Sequence, residues 1–403
     1  MRRLSLLAAA VAVAASVATG AVAAQNAPER GASWLVSRQA PNGAVPDKAR
    51  PDEVAEAVVA LVGGAAPADA VDRAMAFVTE RGRAETTRGA YVARVILAAV
   101  ASKRDPRALG GVDYVARLDA EYKQGSGTYD IGMYANGLAY LAKVTVSGSL
   151  PDASRTFIAA SQCGDGGFAF DPSCADADTD TTALLVRVLK LDGANPSALT
   201  RARKWLAGVQ NENGGFPFSR GGVTNTNSTA LVLSALAALG EKPDAAPWKR
   251  GGGTPLEAIL RLQMDNGAFR YDAPGVENLS ATVQAVPAVA SFIAPTRVES
   301  ATAAGTPVSA PPAGAAPGRT PRSDRAADVA VATTPTTSAV AEAVASGSDA
   351  ASVIDAASDV PAATDVSKAD ESAPAAGAYA AAAAVALAAV LLGMFAMHRR
   401  RLL

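Results

Sequence analysis

Four times along this chain an amphipathic stretch ends in glutamine and a glycine follows four residues later: Gln39 and Gly43, Gln162 and Gly166, Gln210 and Gly214, Gln263 and Gly267. The fullest copy spans residues 197–240. Ala198, Leu199, Ala202, Trp205, Leu206 and Val209 recur at three- and four-residue spacing, with Arg201, Arg203 and Lys204 on the other face. That pattern predicts a helix with one buried stripe. Asn213-Gly214-Gly215 predicts a tight turn, and Phe216 and Phe218 a short extended piece. Residues 229–239 are apolar almost all round, so a second helix is expected to be buried on several sides, with Gly240 as its C-cap. The run Asn225-Thr226-Asn227-Ser228 before it supplies N-cap candidates. A single outer–inner pair cannot bury both helices, so neighbouring copies are required.

Six copies are legible. Copy one has an outer helix ending at Gln39 and an inner helix over about 52–62. Copy two lacks the Gln–Gly connector and pairs 68–80 with 87–101. Copy three pairs 106–122 with 131–144, through a connector running from Gln124 to Tyr129. Copies four and five place inner helices at 181–191 and 229–239, and copy six at 279–290, with Pro287 as a kink point. Twelve helices of this kind can close on themselves, inner helices around an axis and outer helices facing solvent. The expected fold is all-α, an (α/α)6 toroid of six outer/inner pairs over residues 26–294.

The remaining segments read differently. Arg2-Arg3 and the apolar run to Ala24 predict a signal peptide over 1–24. Residues 295–376 are rich in Ala, Pro, Thr, Ser and Asp, and predict a disordered stalk. An uncharged run opens at Ala378 and closes at Met397, long enough for a spanning helix at 377–398, and a basic tail follows at 399–403. Basic residues stay cytoplasmic, so the expectation is a single-pass cell-membrane protein with its toroid outside the cytoplasm. The formal net charge is -1 and no basic, aromatic-interleaved patch occurs, which argues against nucleic acid. The sole histidine, His398, lies past the apolar run, so no His-containing zinc site or His-based triad is expected in the toroid. No metal or cofactor is assigned. Cys163 and Cys174, the only cysteines, are expected to pair in an exported domain.

The Gln-x-x-x-Gly-x-aromatic element resembles the QW repeat of terpenoid cyclases and protein prenyltransferases. That resemblance implies an α/α toroid, a scaffold also used by complement-like thioester domains and by cobalamin carriers of the intrinsic factor type. Asp176-Ala177-Asp178-Thr179-Asp180-Thr181-Thr182-Ala183 opens the fourth inner helix. It resembles the Asp-x-Asp-Asp-Thr-Ala motif of squalene-hopene-type cyclases, whose middle aspartate protonates an alkene. The resemblance makes Asp180 the acid and Asp178 its neighbour, while Thr181 stands in place of the third aspartate.

Two other readings compete with it. Asn225, Asn227, Glu277 and Asn278 occupy the same place in copies five and six, so these side chains can simply cap helices. The acidic run of Asp171, Asp176, Asp178 and Asp180 could also bind calcium, although it lacks the glycine and glutamate of an EF-hand loop. Cyclases surround carbocations with aromatic rings, and aromatics make up only 5% of this chain. Squalene-type cyclases also use two helical domains. The reading placed first is therefore a non-catalytic, membrane-anchored domain that binds a small molecule or surface partner at the toroid mouth. Its expected ligand-binding residues are Tyr129, Asp130, Tyr134, Asp176, Asp178, Asp180, Asn225, Asn227, Glu277 and Asn278. Arg88 and Arg187 are possible partners for the carboxylates. The alternative is a terpenoid cyclase-like enzyme with Asp180 as general acid.

Overall fold

The computed structural model describes residues 26–293 except 86, 87 and 131. The expected signal peptide (1–24), stalk (295–376), spanning helix (377–398) and basic tail (399–403) lie outside the described residues, as does residue 294. No helix among the described residues is long and apolar enough to cross a membrane.

Twelve helices alternate outer and inner among the described residues. The outer helices are α1 (Ala27–Ser37), α3 (Ala68–Glu85), α5 (Tyr114–Ala120), α7 (Asp152–Ala160), α9 (Pro196–Val209) and α11 (Pro255–Leu260). The inner helices are α2 (Pro51–Gly63), α4 (Gly89–Ala101), α6 (Met133–Ser147), α8 (Thr179–Asp192), α10 (Thr226–Leu239) and α12 (Leu279–Ala290). Each inner helix packs on the next, and α12 returns to pack on α2. The inner helices therefore form a closed ring, all starting at the same mouth. A two-residue antiparallel pair, β1 (Phe269–Arg270) and β2 (Glu277–Asn278), holds the last connector.

The repeated glutamine is the rivet between copies. Gln210 Nε2 donates to Gly214 O at 2.8 Å within its own connector and to Trp248 O at 2.7 Å in the next copy. Gln162 reaches Gly166 O and Ala198 O in the same way, and Gln39 reaches Gly43 O and Ala70 O. Gln263 donates to Gly267 O and to Ala27 O, so the last copy is fastened to the first by the device that joins the others. The glycine is equally fixed. Gly267 has φ +94°, and a Cβ there would stand 2.3 Å from Arg30 O. Only glycine combines that conformation with so close a backbone approach.

The next link is a threonine one turn into the inner helix. Thr182, Thr229 and Thr282 each accept the N–H of a connector phenylalanine, Phe168, Phe216 and Phe269, at 2.8–3.0 Å. All three rings are fully buried. They join the continuous apolar core formed by the inner faces of both helix layers. Burying such a ring contributes about 1.5–3 kcal/mol.

Some boundaries differ from expectation. α5 is shorter than 106–122, because Gly110 and Gly111 both adopt positive φ and turn the chain before Tyr114. α8 and α10 start at Thr179 and Thr226, two and three residues earlier than expected, since Asp178 and Asn225 are the N-caps. Asp180 and Asn227 are thereby drawn into the first helical turn.

Candidate active site

The second residue of each inner helix borders the axis at the mouth: Asp52, Ala90, Tyr134, Asp180, Asn227 and Ser280. Five of the six are buried, and Ser280 is partly so. Neighbouring members interlock. Asn227 Nδ2 donates to Ser280 Oγ at 3.2 Å, and Ser228 Oγ donates to Asp180 Oδ1 at 2.6 Å.

The two central aspartates have separate jobs. Asp178 caps α8, its Oδ1 accepting the Thr181 N–H at 2.7 Å. Asp180 does not cap; it faces Ser228 on the next inner helix. Burial pushes the Asp180 carboxyl up to about 7; the Ser228 hydrogen bond opposes this and the Asp178 charge adds to it. Burial pushes Asp178 up to about 6 against the Thr181 hydrogen bonds. Burial thus raises both carboxyls, and the Asp178 charge adds to the rise at Asp180. Tyr134 stands close enough to feel Asp180, Glu56, Arg94 and Asp178. Its phenol is raised well above its usual range, by burial first and then by the Asp180 charge. Its hydroxyl makes no hydrogen bond among the described residues.

Across the ring lies a second polar group. Arg94 on α4 donates to Asp52 Oδ2 at 2.5 Å and forms an ion pair with Glu56 Oε1 at 2.6 Å, with all three side chains buried. Arg50 holds the other oxygen of Asp52 at 3.0 Å. Burial pushes Glu56 up to about 8 although Arg94 and Gln284 favour its charged form. Arg187 is fully buried two turns along α8 from Asp180, and burial pushes its guanidinium down to about 9.

The residues expected at the mouth separate on inspection. Asp178, Asn225 and Asn278 are N-caps, bonding the N–H groups of Thr181, Ser228 and Ala281. Asp130 accepts the Ala90 N–H at 3.3 Å. Asp176 is exposed on the connector. Tyr129 packs its ring 4.9 Å from that of Tyr122 and 5.8 Å from that of Tyr140, within the wall. Glu277 turns outward to Arg38, Trp34 and Asn266, stitching copy six to copy one. Of the expected residues, Tyr134, Asp180 and Asn227 occupy the second position of their inner helices. Arg88 is exposed at the start of α4. Cys163 and Cys174 form the expected disulfide and tie down the connector that leads into Asp178.

Ser228 was expected only as an N-cap candidate, not as the partner of Asp180, and Asp52, Glu56 and Arg94 were not foreseen as site residues. A charged residue inside an otherwise apolar inner helix, as in the Arg94 stretch AYVARVILAAV, is the signal that could have found two of them.

No family model matches the chain. A drimenyl diphosphate synthase from Streptantibioticus cattleyicolor is 39% identical over 94 residues, which is 23% of this chain and 18% of that protein. A type II terpene cyclase from Scytonema, solved with its product merosterolic acid A, aligns with a TM-score of 0.52 at 13% identity, over 68% of this chain and 97% of that one. The same cyclase with its substrate geranylgeranyl dihydroxybenzoate gives 0.51 over 68% and 98%.

These likenesses correct the first-placed reading of a non-catalytic binding domain. The two cyclase structures hold product and substrate, and the relative matched over 94 residues is a drimenyl diphosphate synthase, so these likenesses favour the alternative.

Proposed function

We propose that this protein is a terpenoid cyclase that starts cyclisation by protonating an alkene of a linear isoprenoid. Asp180 is the general acid. The observation that carries this reading is the Asp180 carboxyl, buried at the ring mouth with its ordinary value raised to about 7. A carboxyl that is dry and protonated near neutral pH is the form an alkene-protonating acid requires.

In the proposed step a proton leaves the carboxyl for an alkene carbon, the π pair forms the new C–H bond, and a carbocation and the Asp180 carboxylate result. Ser228 donates to Oδ1, leaving Oδ2 to carry the proton, and the same bond stabilises the carboxylate as it forms. Asp178 keeps its neighbour protonated by its charge. The Tyr134 ring, beside the acid, supplies a π face for the first cation.

The test is incubation of the purified protein with farnesyl, geranylgeranyl and prenyl-aryl substrates, with products separated by mass spectrometry. Cyclic products are expected, and Asp180→Asn should reduce their rate by about 10² or more. Unchanged turnover by that variant, or no cyclic product from any linear isoprenoid, would sink the reading. Export and membrane anchoring belong to the same proposal, supported by the apolar leader over 1–24 and the run over 378–397 with its basic tail. Recovery in the membrane fraction, lost on truncation after residue 376, is the expected result; a soluble full chain would refute it.

A further inference from the structure

The large apolar side chains exposed among the described residues are Phe170, Phe218, Val223, Tyr271 and Val276. All five lie in the connectors of copies four, five and six. Three of them occupy one position of the repeat. Phe170, Phe218 and Tyr271 each follow the riveted glycine by four residues and the buried phenylalanine by two.

Their backbones are fixed to the acid's own ring. The Phe170 carbonyl accepts the Met133 N–H at 2.8 Å, the Phe218 carbonyl the Thr179 N–H at 2.9 Å, and the Tyr271 carbonyl the Thr226 N–H at 2.7 Å. Met133, Thr179 and Thr226 are the first residues of α6, α8 and α10, so the aromatics are anchored next to Tyr134, Asp180 and Asn227. The Phe170 ring lies over Gly132, where an added Cβ would meet it at 3.6 Å. The Tyr271 phenol is raised, by burial first and then by the Asp180 charge.

The fold does not demand aromatics here. Copy one has the same Gln–Gly spacing and carries Asp47, exposed, at the equivalent position. Three aromatics 51, 46 and 40% exposed, on one arc of one mouth, are therefore a surface made to be covered.

We infer that Phe170, Phe218 and Tyr271 form an access collar that takes the isoprenoid chain of the substrate at the inner-helix mouth and leads it to Asp180. This rests on the cyclase reading and deepens it. The collar would bind hydrocarbon and leave the head group undiscriminated, because the three residues share ring faces and only Tyr271 adds a polar atom. Water leaves the apolar chain before it meets the acid, and the chain arrives over Tyr134, Asp180 and Asn227.

The test uses the full chain. Phe170→Ser, Phe218→Ser and their double variant are compared with the parent for KM and kcat, and for equilibrium binding of geranylgeraniol in an Asp180→Asn background. The expected result is a KM raised about tenfold or more in the double variant, unchanged kcat and unchanged thermal midpoint, and a matching loss of geranylgeraniol binding. Asp47 in copy one makes a polar residue at this position compatible with the fold. Parent-like KM and binding in the double variant would overturn the collar while leaving the cyclase reading intact. Collar-dependent binding of geranylgeraniol without any cyclisation would uphold the collar and refute the acid. Loss of binding to phosphatidylcholine–phosphatidylglycerol vesicles with no change in KM would overturn it in favour of a membrane contact.

Discussion

Asp180 owes its proton to burial, and a neighbour 48 residues away, Ser228, works against it. Removing the Ser228 hydroxyl takes away a bond that favours the charged carboxylate, so in Ser228→Ala the acid should titrate higher. Because catalysis needs the protonated form, turnover by the parent is expected to decline as pH rises through about 7, and in Ser228→Ala that decline should move to higher pH. A profile that stays in place would show that Ser228 does not tune the acid. Stability carries the same signature. The folded value of about 7 lies above the unfolded value of about 3.9, so between them the native state holds a proton the unfolded chain has lost. That contribution is complete below pH 4 and disappears as pH climbs through 7, so stability falls in this window. Thermal scans at pH 5 and pH 8 should show a smaller drop in Asp180→Asn than in the parent. The motif around Asp180 was legible because its residues are adjacent in sequence. Ser228, Arg94 and Glu56 were not, because only the closed ring brings α10, α4 and α2 to the same axis. Capping described Asp178 well and misdescribed Asp180, since a shift of two residues in the helix start moves a side chain from the cap to the axis.

At the scale of the element, the connector behaves as a cast part. In all four copies with the Gln–Gly spacing an Asn or Asp side-chain oxygen closes the turn by accepting the backbone N–H two residues on: Asn42 from Ala44, Asp165 from Gly167, Asn213 from Gly215 and Asn266 from Ala268, at 3.0–3.1 Å. The four-residue spacing was therefore visible as a pattern before its geometry was known. Copy three was harder to see, because Ser154 Oγ and Tyr140 OH take over as donors to the Gly127 carbonyl, and neither lies at the glutamine position. Two glycines separate conformation from contact. Gly148 has φ +76° with nothing near an added Cβ, whereas Gly267 has φ +94° with Arg30 O 2.3 Å from it. Gly148→Ala should cost about 1 kcal/mol, the left-handed penalty alone. Gly267→Ala adds a backbone collision and should cost about 3 kcal/mol or more, lowering the thermal midpoint by roughly 6 °C. Equal losses in the two variants would mean that the approach to copy one is not tight.

For the whole molecule, closure removes the end repeats that an open stack must cap with polar faces. Deleting residues 26–63 would strip α1 and α2 from the ring and bare the apolar faces of α12 and α4, so that variant should lose cooperative unfolding altogether. Joining residue 293 to residue 26 by a short Gly/Ser linker and opening the chain in the exposed turn at Ala194 should preserve the fold and its single transition. A stable deletion variant would show the copies to be independent. The bonds that bind the last copy to the first, Gln263 to Ala27, Arg30 to Met264 and Trp34 to Glu277, span 234 to 243 positions of sequence. Such clasps are the slowest contacts a chain can make, because the loop they close must be gathered first. Synthesis makes α1 first and α12 last. Until residue 293 is free the protein is an open arc, and Asp180, on α8, waits for Ser228 of α10, whose neighbour Asn227 waits in turn for Ser280 of α12. The acid is therefore assembled on a timetable: a chain cut short anywhere before its sixth copy carries the aspartate without the enclosure that keeps it protonated.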